Sequence, residues 1–397
     1  MIPYLLDWLG LVTRWAHLIA GISWIGASFY FVWLDDSLSP PAHEEDARNG
    51  VLGELWSVHG GGFYHNQKFL AGPKSEPLPH DLHWFYWEAY STWITGVAML
   101  AIVYWVGADA FLIDHSVLAL TVPEAIGISI AAIVVGWLVY DALCRAFETR
   151  PIALWAGVAA FLLLTDWTLF HLFSGRGAAI HLGSIIGAIM VANVFFIIIP
   201  GQKRMLAQIR AGETPDPRPG RLGKMRSVHN TYLTLPVLFL MISNHYPMTY
   251  SGPNGWWVVA VLCVAGVLAR RFFILSHKYR YVVVLPVAAA VLVAGVAIAI
   301  VPRTPAASSG PAVTFAEVAP IVAQRCAVCH AARPTQPGFG TAPAGVLLDT
   351  PERIRANAQR AYDQAVTTHA MPLGNLTHMT DAERAEFGAW VTQGAKI

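Results

Sequence analysis

Charge is what this chain has least of. Only 13% of its 397 residues are Asp, Glu, Lys or Arg, while 55% are hydrophobic, against roughly 25% charged usage in soluble domains. A shortage on that scale excludes a soluble globular protein and implies a polytopic membrane protein. The start of the chain lacks a basic n-region, and its apolar run is too long for a removable signal peptide. Three consecutive glycines, Gly60 to Gly62, are not followed by the lysine-serine or lysine-threonine of a phosphate loop. There is no adjacent His-His pair of the kind a terminal oxidase uses at its copper site. Cysteine is scarce as well, with four in all. Cys144 and Cys263 stand alone in or beside apolar runs and read as small packed residues.

What is present is a series of apolar runs, at about 8–34, 84–106, 125–143, 152–173, 178–199, 232–243, 256–274 and 281–301. Most reach the roughly 20 residues that a helix needs to cross a bilayer. The sixth is short and contains Pro236, so it needs its flanks to span and is expected to kink. A net charge of +1 conceals a segregation. Arg145 and Arg150, then Lys203, Arg204, Arg210, Arg218, Arg221, Lys224 and Arg226, then Arg270, Arg271, Lys278 and Arg280 fall in alternate loops, while the intervening loops hold little beyond Arg176. The positive-inside rule makes the basic loops cytoplasmic. Eight spans then leave both termini outside. The expectation is an all-α protein of the bacterial inner membrane: an eight-helix transmembrane bundle over 1–301, a linker over 302–312 rich in Pro, Ala and Ser that serves as an extended tether, and a periplasmic domain over 313–397.

That last domain carries Cys326-Ala327-Val328-Cys329-His330, the attachment sequence of a c-type haem. Two thiols three positions apart each bond one vinyl group of the porphyrin, and the following imidazole becomes the proximal iron ligand. Met371, in the run Ala370 to Asn375, lies where a sixth, thioether ligand is expected, with His369, His378 and Met379 as rivals. Met/His ligation suits electron transfer. Helical spacing around 315–324 and again over 381–393, where Phe387, Trp390 and Val391 share a face, completes the outline of a small all-α class I cytochrome c. The periplasm is where such haems are attached, in agreement with the charge pattern.

Polar residues within spans are costly and therefore functional candidates. Arg14 and His17 share a helix face with Gly21 and Trp24; Asp166 and His171 lie in the fourth run; His181 stands above the small residues Ser184 and Ala188. A histidine over a strip of small residues leaves room for a flat porphyrin, which motivates a second, b-type haem on His17 and His181. The alternative is that these imidazoles bond to Asp166, Arg14 or backbone and only hold helices together. On the cytoplasmic side, Trp56 to Lys68, Leu82 to Tyr90, and Arg226, His229 and Asn230 combine flat aromatics, cations and amide donors. Such groups can sandwich and neutralise a planar anion. For Trp84, Phe85, Tyr86 and Trp93 an interfacial aromatic belt is the simpler reading.

Arg14-Trp15-Ala16-His17, the run Trp56 to Leu70, Leu82 to Tyr90, and Arg226-Ser227-Val228-His229-Asn230-Thr231-Tyr232 together resemble the bacterial membrane-bound, cytochrome c-coupled urate oxidases, also called urate hydroxylases. The resemblance covers essentially the whole chain. It implies oxidation of urate plus water to 5-hydroxyisourate, with electrons leaving through the chain's own cytochrome domain to a respiratory acceptor such as a terminal oxidase or a soluble cytochrome c. Urate is an anion, so its site needs positive charge, and the attacking water needs a base. His59, Lys68, His83, Glu88, Arg226 and His229 are the cytoplasmic candidates; Asp166, His171 and His245 are the periplasmic ones, nearer the haem c. A different class of function, an anchor that passes electrons from membrane quinol to the cytochrome, shares most of these features, and a transporter with a regulatory haem domain is a third.

Overall fold

Helices occupy all eight apolar runs in the computed structural model, which describes residues 2–251, 255–276, 282–301 and 311–397. In order these are α1 (Ile2–Ser37), α2 (Trp87–Leu100, continued by a π turn over Ala101–Trp105), α3 (Val122–Ala146), α4 (Pro151–Phe170), α5 (Gly175–Arg210), α6 (Pro217–Ser243), α7 (Gly255–Leu275) and α8 (Val284–Ala299). Five of them, α1, α3, α4, α5 and α7, are long and apolar enough to cross a membrane. Local chemistry sets their starts. Thr121 and Glu124 close a capping box at the head of α3, Pro151 opens α4, and the Asp216 side chain accepts from the Arg218 N–H as Pro217 opens α6. The short sixth run is extended backwards to Pro217, as its length required.

Of these five long apolar helices, α5 is the most enclosed, with 61% of its apolar stretch buried against 11–22% for the other four. Ile185 and Ile189 of α5 meet Tyr140 of α3, Leu154 and Val158 of α4, and Leu233, Val237 and Leu240 of α6 in one core. Outward faces carry exposed Leu18, Ile22, Val134, Leu138, Leu163, Leu164 and Val291. A surface of that kind fits hydrocarbon rather than water. Near its middle α5 loosens into a π turn over Asn193–Ile198 just before Pro200. Proline has no N–H to give and its ring crowds the carbonyl one turn back, so the helix admits an extra residue there.

One part of the all-α expectation is corrected. Residues read as a loop form an antiparallel hairpin, β1 (Val51–His59) and β2 (Gly62–Phe69), with Trp56 opposite His65. Gly60 and Gly61 bridge it at φ +60° and +82°, the paired positive values of a type I′ turn, which only residues without a Cβ adopt freely. Neither strand alternates apolar and polar cleanly, so the period-2 signal is missing.

The C-terminal segment folds as α9 (Phe315–Arg325), α10 (Pro351–Ala356) and α11 (Asp381–Thr392), the two outer helices falling where helical spacing put them. Val318, Ile321, Val322, Tyr362, Phe387 and Trp390 form its own core. It rests on the other part of the chain: the turn Leu373–Asn375 packs on the one-turn helix Ala108–Phe111, and the rings of His115 and His378 lie 5.7 Å apart. Most of the tether, 302–310, lies outside the described residues, as do Lys278 and Arg280.

Candidate functional site

Two of the six cytoplasmic candidates come together. Arg226 and His229, one turn apart on α6, are each 2% exposed and point into the interface with α3 and α5. Arg226 donates to Asp141 Oδ1 at 2.5 Å and to Asn193 Oδ1 at 3.2 Å, and its guanidinium lies over the Tyr140 ring at 5.1 Å. Asn193 Nδ2 donates to Asn230 Oδ1 at 2.9 Å and to the Tyr140 hydroxyl at 3.1 Å; that hydroxyl is 2.8 Å from His229 Nδ1. Asn230 in turn donates to the Met190 carbonyl. The π turn of α5 places Asn193 at the centre of this network. A guanidinium can only donate, so Arg226 fixes which end of the Asn193 amide is oxygen, and Asn193 must then donate to Tyr140.

Beside the network is a cavity of about 390 Å³ between the start of α4 and the first half of α6, lined by Glu148, Trp155, Arg221, Leu222, Met225 and His229 among others. That volume lies within the range of small-molecule sites. The Trp155 indole is one wall, its ring 4.4 Å from that of His229 and 5.4 Å from that of Tyr232. Glu148 is paired with Arg218 at 3.1 Å, and this hydrogen bond holds its carboxyl below the usual range. Arg221 makes no hydrogen bond among the described residues. His229 uses Nδ1 toward Tyr140, and its Nε2 makes no hydrogen bond among the described residues. The arrangement offers a flat aromatic wall, a guanidinium at Arg221 that lies in the field of the Glu148 carboxylate, and an imidazole nitrogen: groups that can hold a planar anion and exchange a proton with it.

The other candidates are dispersed. His59 sits exposed at the hairpin tip, Lys68 pairs with Asp35, and His83 lies exposed against Phe85. Glu88 is half-buried at the start of α2 with Oε2 unpartnered. Asp166 is 1% exposed and neither of its oxygens has a hydrogen-bond partner among the described residues. His171 is exposed, bonded to its own helix through Trp167 O, and His245 is exposed. No hydrogen bond or ring contact joins Asp166, His171 and His245. His17 binds the Thr92 carbonyl and Thr95 hydroxyl through Nδ1. His181 uses both nitrogens, toward Ser129 Oγ and Gly177 O, each at 2.7 Å. As arranged, His181 has no nitrogen left for iron; ligating a b-type haem requires it to release Ser129. Sequence reasoning missed Tyr140, Asp141, Asn193 and Trp155, although Asp141 and Asn193 are polar residues in apolar runs and carry that signal.

In the C-terminal domain, Cys326 and Cys329 are free and half-buried. Burial pushes the Cys326 thiol up to about 12, opposite to the lowered value of a reactive redox thiol. His330 Nδ1 is bonded to the Val346 carbonyl at 3.0 Å, which leaves Nε2 for a metal. Cys326 and Met371 both pack at the margin of the same core, and Met371 is pinned by Arg384, which donates to its carbonyl at 2.7 Å. Met379 is buried within that core at 3% exposure, and His378 faces His115. Among the described residues no three His, Cys, Asp or Glu side chains converge as for a bare ion. These residues fit a covalently held haem: Cys326 and Cys329 would attach it, and His330 and Met371 are the side chains that would ligate its iron.

A sequence profile described as Urate oxidase N-terminal matches residues 3–301. Comparison with curated proteins and with solved structures returns no match.

Proposed function

Because the chain belongs to the Urate oxidase N-terminal family, an affiliation that makes it an oxidoreductase acting on urate, we propose that it works in the bacterial inner membrane, converting urate and water to 5-hydroxyisourate. Its electrons pass to its own periplasmic cytochrome c domain, and from there to a terminal oxidase or soluble cytochrome c. The observation that carries this reading is the joining of two parts in one chain: a family-matched apolar helical region, and a domain whose Cys326, Cys329, His330 and Met371 fit haem c. A haem held there supplies a one-electron acceptor.

The chain's residues do the rest. Cys326 and Cys329 anchor the porphyrin, and the Val346 carbonyl orients His330. Arg384 holds the Met371 backbone in place. Residues 1–301 bind urate and keep donor and acceptor in one molecule, which makes their electron transfer intramolecular. Charge segregation supports the orientation, with basic loops inside and the C-terminal domain outside.

Anaerobic addition of urate to membranes holding the intact protein should reduce haem c while 5-hydroxyisourate forms, and xanthine or allantoin should do little. Cys326→Ala with Cys329→Ala should stop steady-state turnover. Reduction by quinol with no response to urate would replace this reading with that of an electron-transfer anchor.

A further inference from the structure

We propose that the cavity between α4 and α6 is the urate site, with Trp155 as stacking wall, Arg221 as anion partner and His229 as the group that takes a proton from the attacking water. The proposal rests on the urate reading and adds the place and the roles.

Three requirements of the reaction meet at this cavity. Urate is flat, and an indole face receives a flat heterocycle better than an aliphatic wall does. Urate is anionic, and Arg221 at the rim has no hydrogen bond to give up among the described residues, while the Glu148 carboxylate on the same wall is engaged by Arg218 at 3.1 Å and feels Arg221 only through space. Oxidation at C5 requires a base within reach of a water, and the His229 imidazole forms part of the wall while its Nε2 has no partner. The tautomer that makes Nε2 an acceptor places the proton on Nδ1, facing the Tyr140 oxygen at 2.8 Å. Asn193 and Arg226 hold Tyr140 from behind. They are positioning residues.

The step balances. Urate monoanion and water give 5-hydroxyisourate, one proton and two electrons. The water oxygen bonds to C5, the C4–C5 double bond is lost, one proton goes to His229 Nε2, and the oxidant that would take the two electrons one at a time is a haem held by Cys326, Cys329, His330 and Met371.

The full-length protein in detergent, with haem c held reduced so that no turnover occurs, is equilibrated with radiolabelled urate. Trp155→Ala and Arg221→Gln should each weaken binding about tenfold or more, the scale of losing a stacked base or a charge contact, with Trp155→Phe restoring most of it. His229→Asn, which can still reach Tyr140, should bind urate within about threefold of wild type yet lower kcat by about 10²-fold or more. Retention of the haem c spectrum and a single elution peak identifies folded variants. If His229→Asn does not fold, the two cavity-wall variants decide alone. Wild type that responds to urate alongside Trp155→Ala and Arg221→Gln variants that bind it normally would overturn the site and leave the function standing. Wild type that neither binds nor responds to urate would overturn both.

Discussion

A guanidinium cannot accept a hydrogen bond, and that one fact organises the interior around Arg226. It orients Asn193, Asn193 commits to Tyr140, and the Tyr140 hydroxyl meets His229. Asp141, whose side chain is 15% exposed, balances the charge. Removing one partner of such a pair leaves the other buried and uncompensated, a loss of about 3 kcal/mol. Arg226→Ala should therefore lower the thermal midpoint in detergent markedly, and Arg226→Ala with Asp141→Ala should recover part of it; equal midpoints for the single and double variants would remove the pairing argument. At the other site, Met371→Ala should keep the covalent haem, because Cys326, Cys329 and His330 remain, but should lower its reduction potential as the thioether is lost. An unchanged potential would move the sixth ligand to His369, His378 or Met379. The sequence marked Arg226 and His229 because a cation and an imidazole beside aromatic segments suit a planar anion. Tyr140 looks ordinary alone, and Asn193, although a polar residue in an apolar run, gives no hint of its partners; only packing three helices together makes them a set.

At the scale of elements, the long apolar helices and the two outer helices of the C-terminal domain were legible, since each is written in local spacing and caps. The hairpin was not. Its strands are held by Glu54, whose carboxylate accepts from the Ala42 N–H at 2.7 Å and pairs with His65 Nε2 at 2.8 Å, and by the Trp56 indole stacked on His65 at 4.3 Å. Contacts of that kind leave no period in the sequence. The Ala42 hydrogen bond, and after it His65, holds the Glu54 carboxyl below its ordinary 4.5. A carboxyl depressed in the folded state stabilises above its unfolded value, and that contribution fades as pH falls through the folded one. Hydrogen exchange across 51–69, corrected for intrinsic rates, should accelerate as pH drops below about 4.5, and Glu54→Gln should abolish the acceleration. An unaltered pH profile in Glu54→Gln would assign the hairpin's hold to the strands alone. The π turn at Asn193 was equally hidden, although Pro200 hinted that the helix could not run regularly through that turn.

Over the whole molecule, charge placement and docking agree. The C-terminal domain rests on the loop that carries Ala108–Phe111, which precedes α3, whereas the proposed urate cavity adjoins Tyr140, 18 residues beyond the helix start at Val122, about 27 Å away at 1.5 Å per residue. An alkaline phosphatase fusion after Ile397 should be active in the periplasm, and one within 202–226 should not; the reverse would overturn the inferred orientation. The contact between the C-terminal domain and the loop before α3 lies apart from the residues that line the proposed urate cavity, so a change there should leave urate binding untouched. Gly374 lies directly against the backbone of that loop. It holds φ +54°, and a Cβ there would lie 2.3 Å from the Ile113 carbonyl oxygen. Even alanine meets two penalties at once, a left-handed backbone and a backbone clash with no side chain to move aside. Gly374→Ala should retain covalent haem c at an unchanged potential and bind urate as wild type does, yet slow urate-driven haem reduction about tenfold or more by lifting the domain from its seat. Reduction at the wild-type rate would mean that electrons enter the cytochrome domain by another face.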